Sequence, residues 1–268
     1  MTLPKELIMI RHGQSEANVI QKGEQYSTDP SSIPAGFESR HDSYMRLSTL
    51  GVKQANAAGE WLRANGLSTP GVQYASTHIR TRETAATLSL GGQWIVDDLW
   101  RERDWGEYGA KYSRSEQEKN FPFSAAMKKQ SSWYWKPVGG ESLATGVRFR
   151  FDSVLANLRE LHDVDLAIGV THGEFINVAR FVLEGLTPEQ WIEMDSNPAN
   201  TVQNAMIVHY SRIDPETGEE HEHFAFKRLV CPWDESLSVN EGKWSPISFK
   251  TFSDEDLMNS VNLYRNLL

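Results

Sequence analysis

Two histidines that each stand directly before a glycine are the first candidates for chemistry in this chain. Arg11-His12-Gly13 follows one continuous apolar run, and His172-Gly173 follows another. Such runs, ended by glycine, predict buried strands of a parallel sheet, and ligands of these sheets bind at the carboxyl ends of the strands. A guanidinium binds phosphate oxygens in bidentate fashion, and an imidazole can attack phosphorus and carry it covalently. The pairing of the two His-Gly steps therefore favours a phosphate site.

Two further groups of charged residues follow predicted strands. Arg80 and Arg82 come after the strand end Ser76-Thr77, at the start of a helix, and Glu102 follows the third strand. Because parallel strands end at one edge of a sheet, we expect these groups to lie near the two histidines.

The segments between these groups alternate between strand and helix patterns. A helical turn and a long loop are predicted between residues 14 and 46, and the helix that follows is capped by Ser48 or Thr49. The predicted strands span 6–11, 72–76, 94–96, 165–171, 205–212 and 222–230, and the predicted helices span 47–64, 79–90, 141–161, 175–185, 188–194 and 254–267.

Composition limits the classes of partner. The chain has 268 residues, a formal net charge of −9 and no long basic block, which argues against nucleic acid and acidic membranes as partners. Cys231 is the only cysteine, so no intrachain disulfide can form, which fits a reducing compartment. No signal peptide and no apolar stretch long enough to span a bilayer are evident. We expect a cytoplasmic monomer or homodimer that acts on a small phosphorylated metabolite.

Together these segments resemble the histidine phosphatase superfamily, also called phosphoglycerate mutase-like, over most of residues 6–210. The matching segments are 11–18, 47–51 with Gln54-Ala55, 76–80 with Thr84-Ala85, 102–106, 139–142 and 171–173. The resemblance implies an α/β fold, a three-layer α/β/α sandwich with a mostly parallel central sheet and a helical insertion over the site. We expect one domain over 1–268, with the insertion at about 106–138 and a C-terminal extension at about 231–268 that makes a dimer contact or covers the sheet edge.

The resemblance also implies roles for individual residues. His12 would be the nucleophile and Glu102 the proton donor, without a metal or another cofactor. Arg11, Arg80 and His172 would hold the phosphate, and Ser15, Asn18 and Gly173 would add substrate contacts. Only the family pattern prefers Glu102 to Asp104 and Glu107, and it makes Arg82 a solvated helix residue. By itself His172 is better interpreted as a core histidine, and only its pairing with the other His-Gly step favours a role in the site; Asn18 could simply support the start of a helix.

Two aromatic or histidine-rich segments invite other interpretations. His221-Glu222-His223 places two potential metal ligands on one face of a strand, but no further ligand set accompanies them, and we reject a metal site there. Trp133-Tyr134-Trp135 could line a substrate lid or pack the insertion onto the domain. The sequence does not decide between those two.

Three activities are compatible with the resemblance. Glycolytic mutases carry a lysine shortly after the glutamate motif and an adjacent arginine pair for the substrate carboxylate, whereas Lys111 and Arg114 are only loose counterparts here. Hydrolysis of phosphomonoesters is therefore the leading hypothesis, and phosphoglycerate mutase-type transfer is the alternative. A catalytically silent module that binds phosphorylated ligands is the third, although His12, Arg80 and the other expected groups are all present.

Overall fold

A computed structural model describes residues 2–21, 36, 39–108 and 118–267 of the chain. Its strands are β1 (Glu6–Arg11), β2 (Val72–Ala75), β3 (Ile95–Val96), β4 (Leu166–Thr171), β5 (Ile207–Ser211), β6 (Phe226–Val230) and β7 (Ser245–Pro246). Its helices are α1 (Glu16–Gln21), α2 (Thr49–Ala64), α3 (Ile79–Leu88), α4 (Pro122–Gln130), α5 (Arg148–Arg159), α6 (Gly173–Leu183), α7 (Pro188–Ser196) and α8 (Asp254–Asn262).

The strands form one mixed sheet in the order β3-β2-β4-β1-β5-β6-β7. β3, β2, β4 and β1 run parallel, and β5, β6 and β7 continue the sheet as an antiparallel meander beside β1. The parallel strands are the ones whose carboxyl ends carry the candidate residues. β7 lies at the edge of the sheet, so part of the C-terminal extension covers that edge, one of the two roles expected for it.

The side chains of β1 point alternately to the two faces of the sheet and join two apolar cores. Helices cover both cores, so the fold has three layers, with the sheet in the middle. Leu7 and Met9 join one apolar cluster with α5 and α6, whereas Ile8 and Ile10 join a second cluster with α2 and α3. Successive side chains of a strand point to opposite faces, and a strand buried on both faces is therefore apolar throughout. The structure confirms the α/β fold class with helices on both faces of the sheet.

Most predicted elements are confirmed, with differences at their ends. Ser48 caps α2 by accepting from Gly51 N at 3.1 Å. The helix predicted over 141–161 begins instead with a wide turn over Leu143–Val147 and becomes α-helical only at Arg148. The strand predicted over 222–230 is confined to β6, and α8 ends at Asn262.

Parts of the two long connections lie outside the described residues. These are 22–35 and 37–38 of the first loop, with Lys22, and 109–117 of the insertion, with Lys111 and Arg114. Within the described part, the insertion contributes the turn Gly106–Tyr108 and helix α4. No described helix is long and apolar enough to cross a membrane.

Candidate active site

His12 stands where β1 leaves the sheet, and its ring is held in one orientation. Its backbone N–H donates to Thr171 O at 2.9 Å, which ties the end of β1 to the end of β4. Nδ1 donates to Gly13 O at 2.7 Å, so the proton of the neutral ring resides on Nδ1 and Nε2 carries the lone pair. Burial, together with the positive charges of Arg80 and Arg11, lowers the pKa of His12 well below its ordinary value. The ring is therefore a neutral base at neutral pH.

Arg80 and Arg11 both line the cavity beside His12. Arg80 Nε donates to His12 Nε2 at 3.2 Å, and α3 places Arg80 there because the helix begins shortly after the end of β2. Arg11 Nη1 donates to Val202 O at 2.6 Å, and Arg11 Nε is buried with no hydrogen-bond partner among the described residues. One guanidinium thus contacts the imidazole nitrogen directly, and a second lines the same cavity.

His172 lies beside His12 but deeper in the protein. The two ring centroids are 5.2 Å apart, and His172 is fully buried. Its Nε2 contacts Ser76 Oγ at 2.9 Å, while its Nδ1 has no partner among the described residues. Burial, followed by the charge of Arg80, lowers the pKa of His172 well below its ordinary value. With no anion bound the ring is neutral, and a phosphate dianion nearby would favour its protonated form.

Glu102 is a cavity-lining carboxyl group that the positive charges of both Arg80 and Arg11 influence. Its Oε1 accepts from Arg103 N at 2.9 Å. Burial raises the pKa of Glu102, and the charges of Arg80 and Arg11 only partly oppose this shift. Asp104 and Glu107, the two other candidates for the proton donor, are both exposed at the rim of the same cavity. Among the three carboxyl groups, Glu102 is the one whose surroundings favour holding a proton.

The three expected substrate-binding residues lie at the cavity around His12. Asn18 Oδ1 accepts from Ser15 Oγ at 3.2 Å and from Asn204 Nδ2 at 3.1 Å, and Asn204 Nδ2 also donates to His12 O at 3.0 Å. Asn18 therefore does support the start of α1 and lines the cavity as well. Gly173 lines the cavity at the first position of α6.

The cavity has a volume of about 1000 Å³ and joins these groups into one site. Of the residues expected to act, all line it except His172, whose ring packs edge-on against His12 and His78, both of which line the cavity. Arg82 is exposed, as expected of a helix residue in solvent. Arg40 and His41 line the cavity, whereas Arg46 pairs with Glu83 on the surface.

Three residues of the site were not singled out from the sequence. Asp42 accepts from Arg80 through its carbonyl, at 2.7 Å, and through Oδ2, at 2.9 Å. His78 packs its ring against His172 at 4.6 Å between centroids, and burial lowers the pKa of His78 to about 4. Glu174 follows Gly173 into the cavity, and burial followed by the charge of Asp195 raises the pKa of Glu174 to about 7. His78 follows the Ser76-Thr77 strand end and Glu174 follows Gly173, so the rule that located the other residues could have found both.

The aromatic segment of the insertion packs the protein rather than lining a lid. Trp133 is buried and stacks on Phe181 at 4.0 Å, and Trp135 packs edge-on against Tyr108. Tyr134 is 63% exposed. None of the three segment residues lines the described cavity. Among the described residues no cluster of three or more potential metal ligands is present, at His221 or elsewhere.

Comparison with known proteins identifies the family of the chain. The sequence profile of the Histidine phosphatase superfamily (branch 1) matches residues 7–212. A 2,3-bisphosphoglycerate-dependent phosphoglycerate mutase from Brucella melitensis is 27% identical over 205 residues, which cover 73% of this chain and 89% of the mutase.

Solved structures give the same result. A mycobacterial glucosyl-3-phosphoglycerate phosphatase is 25% identical with a TM-score of 0.59, covering 77% of this chain and 92% of that chain. A structure described as mycobacterial hydrolase 1 is 22% identical with a TM-score of 0.59, and the match covers 93% of this chain and 100% of that chain. This second match shows that the fold is shared. The chain therefore belongs to the histidine phosphatase superfamily, branch 1, and is an enzyme of that family, a phosphatase.

Proposed function

We propose that this protein hydrolyses phosphomonoesters without a metal, through a phosphohistidine intermediate on His12, with the whole chain acting as one domain. The observation that carries the proposal is the orientation of His12. Its Nδ1–H donates to Gly13 O, so the lone pair is on Nε2, and Nε2 lies 3.2 Å from Arg80 Nε. A nucleophile must present a lone pair where positive charge gathers the phosphate, and this arrangement does so.

The charges of the site fit a phosphate monoester. Arg11 and Arg80 supply two guanidiniums that do not lose their protons at neutral pH. Arg11 Nε and His172 Nδ1 are buried and find no hydrogen-bond partner within the described part of the chain, and we propose that both donate to phosphate oxygens. Ser15 in the turn after β1, Asn18 of α1 and the amide of Gly173 at the start of α6 complete the contacts.

In the first step His12 Nε2 attacks phosphorus, and the bond from phosphorus to the leaving oxygen breaks. Glu102 gives its proton to that oxygen, so the product leaves as an alcohol. In the second step water attacks phosphorus, the nitrogen–phosphorus bond breaks, and the carboxylate of Glu102 takes the proton of the water. Inorganic phosphate then leaves, and both His12 and Glu102 are restored. The raised pKa of Glu102 supports its role as the acid.

The test is phosphate release from 4-nitrophenyl phosphate in the presence of EDTA, compared between the wild type and His12→Asn. We expect turnover by the wild type, an acid-labile phosphoryl label on the quenched protein, and loss of both in His12→Asn. His162→Asn, at an exposed histidine, is the matched control and should behave like the wild type.

The same experiment separates the alternatives. Phosphoglycerate mutase-type transfer predicts conversion of 3-phosphoglycerate in the presence of 2,3-bisphosphoglycerate at a rate above that of hydrolysis. A catalytically silent module predicts phosphate binding without turnover or label. Either result would overturn the proposal of hydrolysis.

A further inference from the structure

The cavity extends past the phosphate-binding groups to a surface formed by α6 and α7. Glu174 and Asn177 are three positions apart on α6, and Trp191 and Asp195 are four positions apart on α7, so each pair shares one helix face. All four residues line the cavity that holds His12, and Asn177 Nδ2 donates to Asp195 Oδ1 at 3.2 Å across the two helices. We call these four residues the polar wall.

Three members of the polar wall carry a buried polar atom with no hydrogen-bond partner among the described residues. These atoms are Glu174 Oε2, Asn177 Oδ1 and Trp191 Nε1. Trp191 is 1% exposed, and its ring is fixed by packing against Trp133 at 5.2 Å between centroids. Buried polar groups in folded proteins are nearly always paired, because an unpaired one costs free energy. Three such atoms on one wall of a substrate cavity indicate that a ligand pairs them.

The chemistry of these atoms restricts the ligand. Asn177 Oδ1 accepts hydrogen bonds and the indole N–H of Trp191 only donates, whereas Glu174, with its pKa raised to about 7, accepts as a carboxylate and donates as a carboxylic acid. A carboxylate on the ligand could accept from Trp191 but would face the carboxyl groups of Glu174 and Asp195. At Glu174 the charges of Asp195 and Glu102 outweigh those of the cations Arg103 and Lys128. An ammonium group could donate to the acceptors but would leave the Trp191 donor unpaired. A hydroxyl group both donates and accepts, and neighbouring hydroxyls can satisfy all three atoms.

The position of the polar wall connects it to the leaving group. Glu174 directly follows Gly173, so the wall begins one residue beyond the phosphate contacts. We infer that the polar wall recognises hydroxyl groups of the leaving group, and that the substrate is a sugar phosphate or polyol phosphate. This inference rests on the proposed function, since it assigns the substrate class of the same site.

The first test compares substrates that differ only in the part facing the polar wall. Hexose 6-phosphates and glycerol 1-phosphate carry hydroxyls, butyl phosphate lacks them, aminoethyl phosphate carries an ammonium group and 3-(phosphonooxy)propanoate carries a carboxylate without a hydroxyl. We expect kcat/KM for the best hydroxylated substrate to exceed that for butyl phosphate by about tenfold or more. A preference for butyl phosphate, aminoethyl phosphate or 3-(phosphonooxy)propanoate would overturn the inference.

The second test uses variants of the wall. Trp191→Phe removes the indole donor but keeps an aromatic ring, and Glu174→Gln replaces one carboxyl oxygen while keeping the size. Each should lower the ratio of kcat/KM for hexose phosphate to that for butyl phosphate by about five- to tenfold, the effect of one lost hydrogen bond. Glu193→Gln, an exposed position of α7 outside the cavity, is the matched control and should keep the wild-type ratio. An unchanged ratio in both wall variants would contradict the assignment.

The two proposals fail in different ways. If 4-nitrophenyl phosphate is not hydrolysed, the proposed function fails. The polar wall is then tested by calorimetric binding of hexose 6-phosphate against butyl phosphate, in the wild type and in Glu174→Gln. If the aryl phosphate is hydrolysed and the hydroxylated substrates show no preference, only the inference about the polar wall fails.

Discussion

Glu102 is the residue whose expected role depends most on the leaving group. A general acid matters when the departing oxygen is a strong base, as in an alkyl phosphate, and much less when it leaves readily, as in an aryl phosphate. Burial raises the pKa of Glu102, so the carboxyl group holds its proton to higher pH than an exposed glutamate does. These two facts make its role measurable without reference to the physiological substrate.

We predict that Glu102→Gln lowers kcat for butyl phosphate by about 10² or more and kcat for 4-nitrophenyl phosphate by a clearly smaller factor. Steady-state kinetics with the two substrates measures both values. Glu107→Gln, at an exposed rival position of the cavity rim, is the control and should show no such dependence on the leaving group. Equal losses for the two substrates in Glu102→Gln would argue against a proton donor.

The pH dependence of turnover should reflect the protonation states of His12 and Glu102. His12 must be neutral to attack, and its pKa is lowered, so activity should persist below the ordinary histidine value of 6.5. Glu102 must be protonated to act as the acid, and its pKa is raised above the ordinary value of 4.5. Activity should therefore fall as the pH rises through this raised pKa. We predict an optimum on the acid side of neutrality for butyl phosphate. A kcat/KM profile of the wild type measures it, and a flat profile from pH 5 to 9 would contradict the assignment.

The residues at strand ends could be predicted from the sequence, whereas those held by loops could not. His12 and Glu102 follow predicted strands, and parallel topology brings such positions together wherever the strands lie in the sheet. Asp42 belongs to a short turn in a polar loop without periodicity, so no pattern indicated its contact with Arg80. The indole donor of Trp191 was also inaccessible, because its missing partner is a property of packing.

At the scale of elements, the turn after β1 is held against the start of α2 by the close approach of two glycines. A Cβ on Gly13 would lie 2.3 Å from Gly51 O, and a Cβ on Gly51 would lie 2.0 Å from Gln14 O. The contact fixes the backbone that carries His12, and Gln14 N also donates to Gln54 Oε1 of α2 at 2.9 Å. The small residues of α2 are therefore required for the position of the nucleophile.

We predict that Gly51→Ala destabilises the protein by about 2 kcal/mol or more, because the added methyl group meets backbone atoms that cannot move independently. Denaturant unfolding measures the change. Asn56→Ala, at an exposed position of the same helix, is the matched control and should change stability by less than about 0.5 kcal/mol. A stability of Gly51→Ala equal to that of Asn56→Ala would show that the two backbones are not in contact.

The turn that contains Asp42 holds Arg80, the arginine proposed to bind phosphate, in a separate interaction. Its carboxylate and carbonyl both accept from Arg80, so they compete with phosphate oxygens for the same donors. We predict that Asp42→Asn tightens the inhibition of 4-nitrophenyl phosphate hydrolysis by inorganic phosphate about threefold or more, since one negative charge is removed from the site. Asp98→Asn, at an exposed aspartate outside the cavity, is the control. Weaker inhibition in Asp42→Asn would mean that Asp42 positions Arg80 rather than competing for it.

Element types were predictable because their periodicities are distinct, but several boundaries were not. The continuous apolar runs of β1 and β4 are buried on both faces, and small residues mark the face of α2 that packs on the sheet. The start of α5 was predicted too early, because Ser142 caps a wide turn and not a regular α-helix. The ion pairs of Glu141 with Arg101 and Arg150 fix the chain before that turn, and such long-range pairs leave no local pattern.

At the scale of the whole molecule, an acidic protein concentrates buried cations and neutral histidines at one end of its sheet. The net charge is −9, yet Arg11, Arg80 and Arg103 all border the cavity. His12, His78 and His172 lie beside them with lowered pKa values, burial being the main cause in each case. A proton added to one of these histidines would place a further positive charge beside the arginines.

This arrangement couples stability to pH, and His78 gives the clearest case because its folded pKa is about 4. In the unfolded chain a histidine takes up a proton near pH 6.5, whereas folded His78 stays neutral until about pH 4. Between those values the unfolded state binds more protons, so the contribution of His78 to stability is lost as the pH falls. The loss cannot exceed about 1.4 kcal/mol for each pH unit below 6.5.

His78→Gln cannot take up this proton. We predict that, when the pH is lowered from 7.5 to 5, the free energy of unfolding falls by about 1–2 kcal/mol less in His78→Gln than in the wild type. Denaturant unfolding at the two pH values measures the difference, and any constant cost of the substitution cancels in it. His162→Gln replaces an exposed histidine and should leave the difference near zero. Inorganic phosphate should reduce the effect, because an anion in the cavity favours the protonated ring. An identical pH dependence of His78→Gln and the wild type would mean that His78 is solvated and protonates normally in the folded protein.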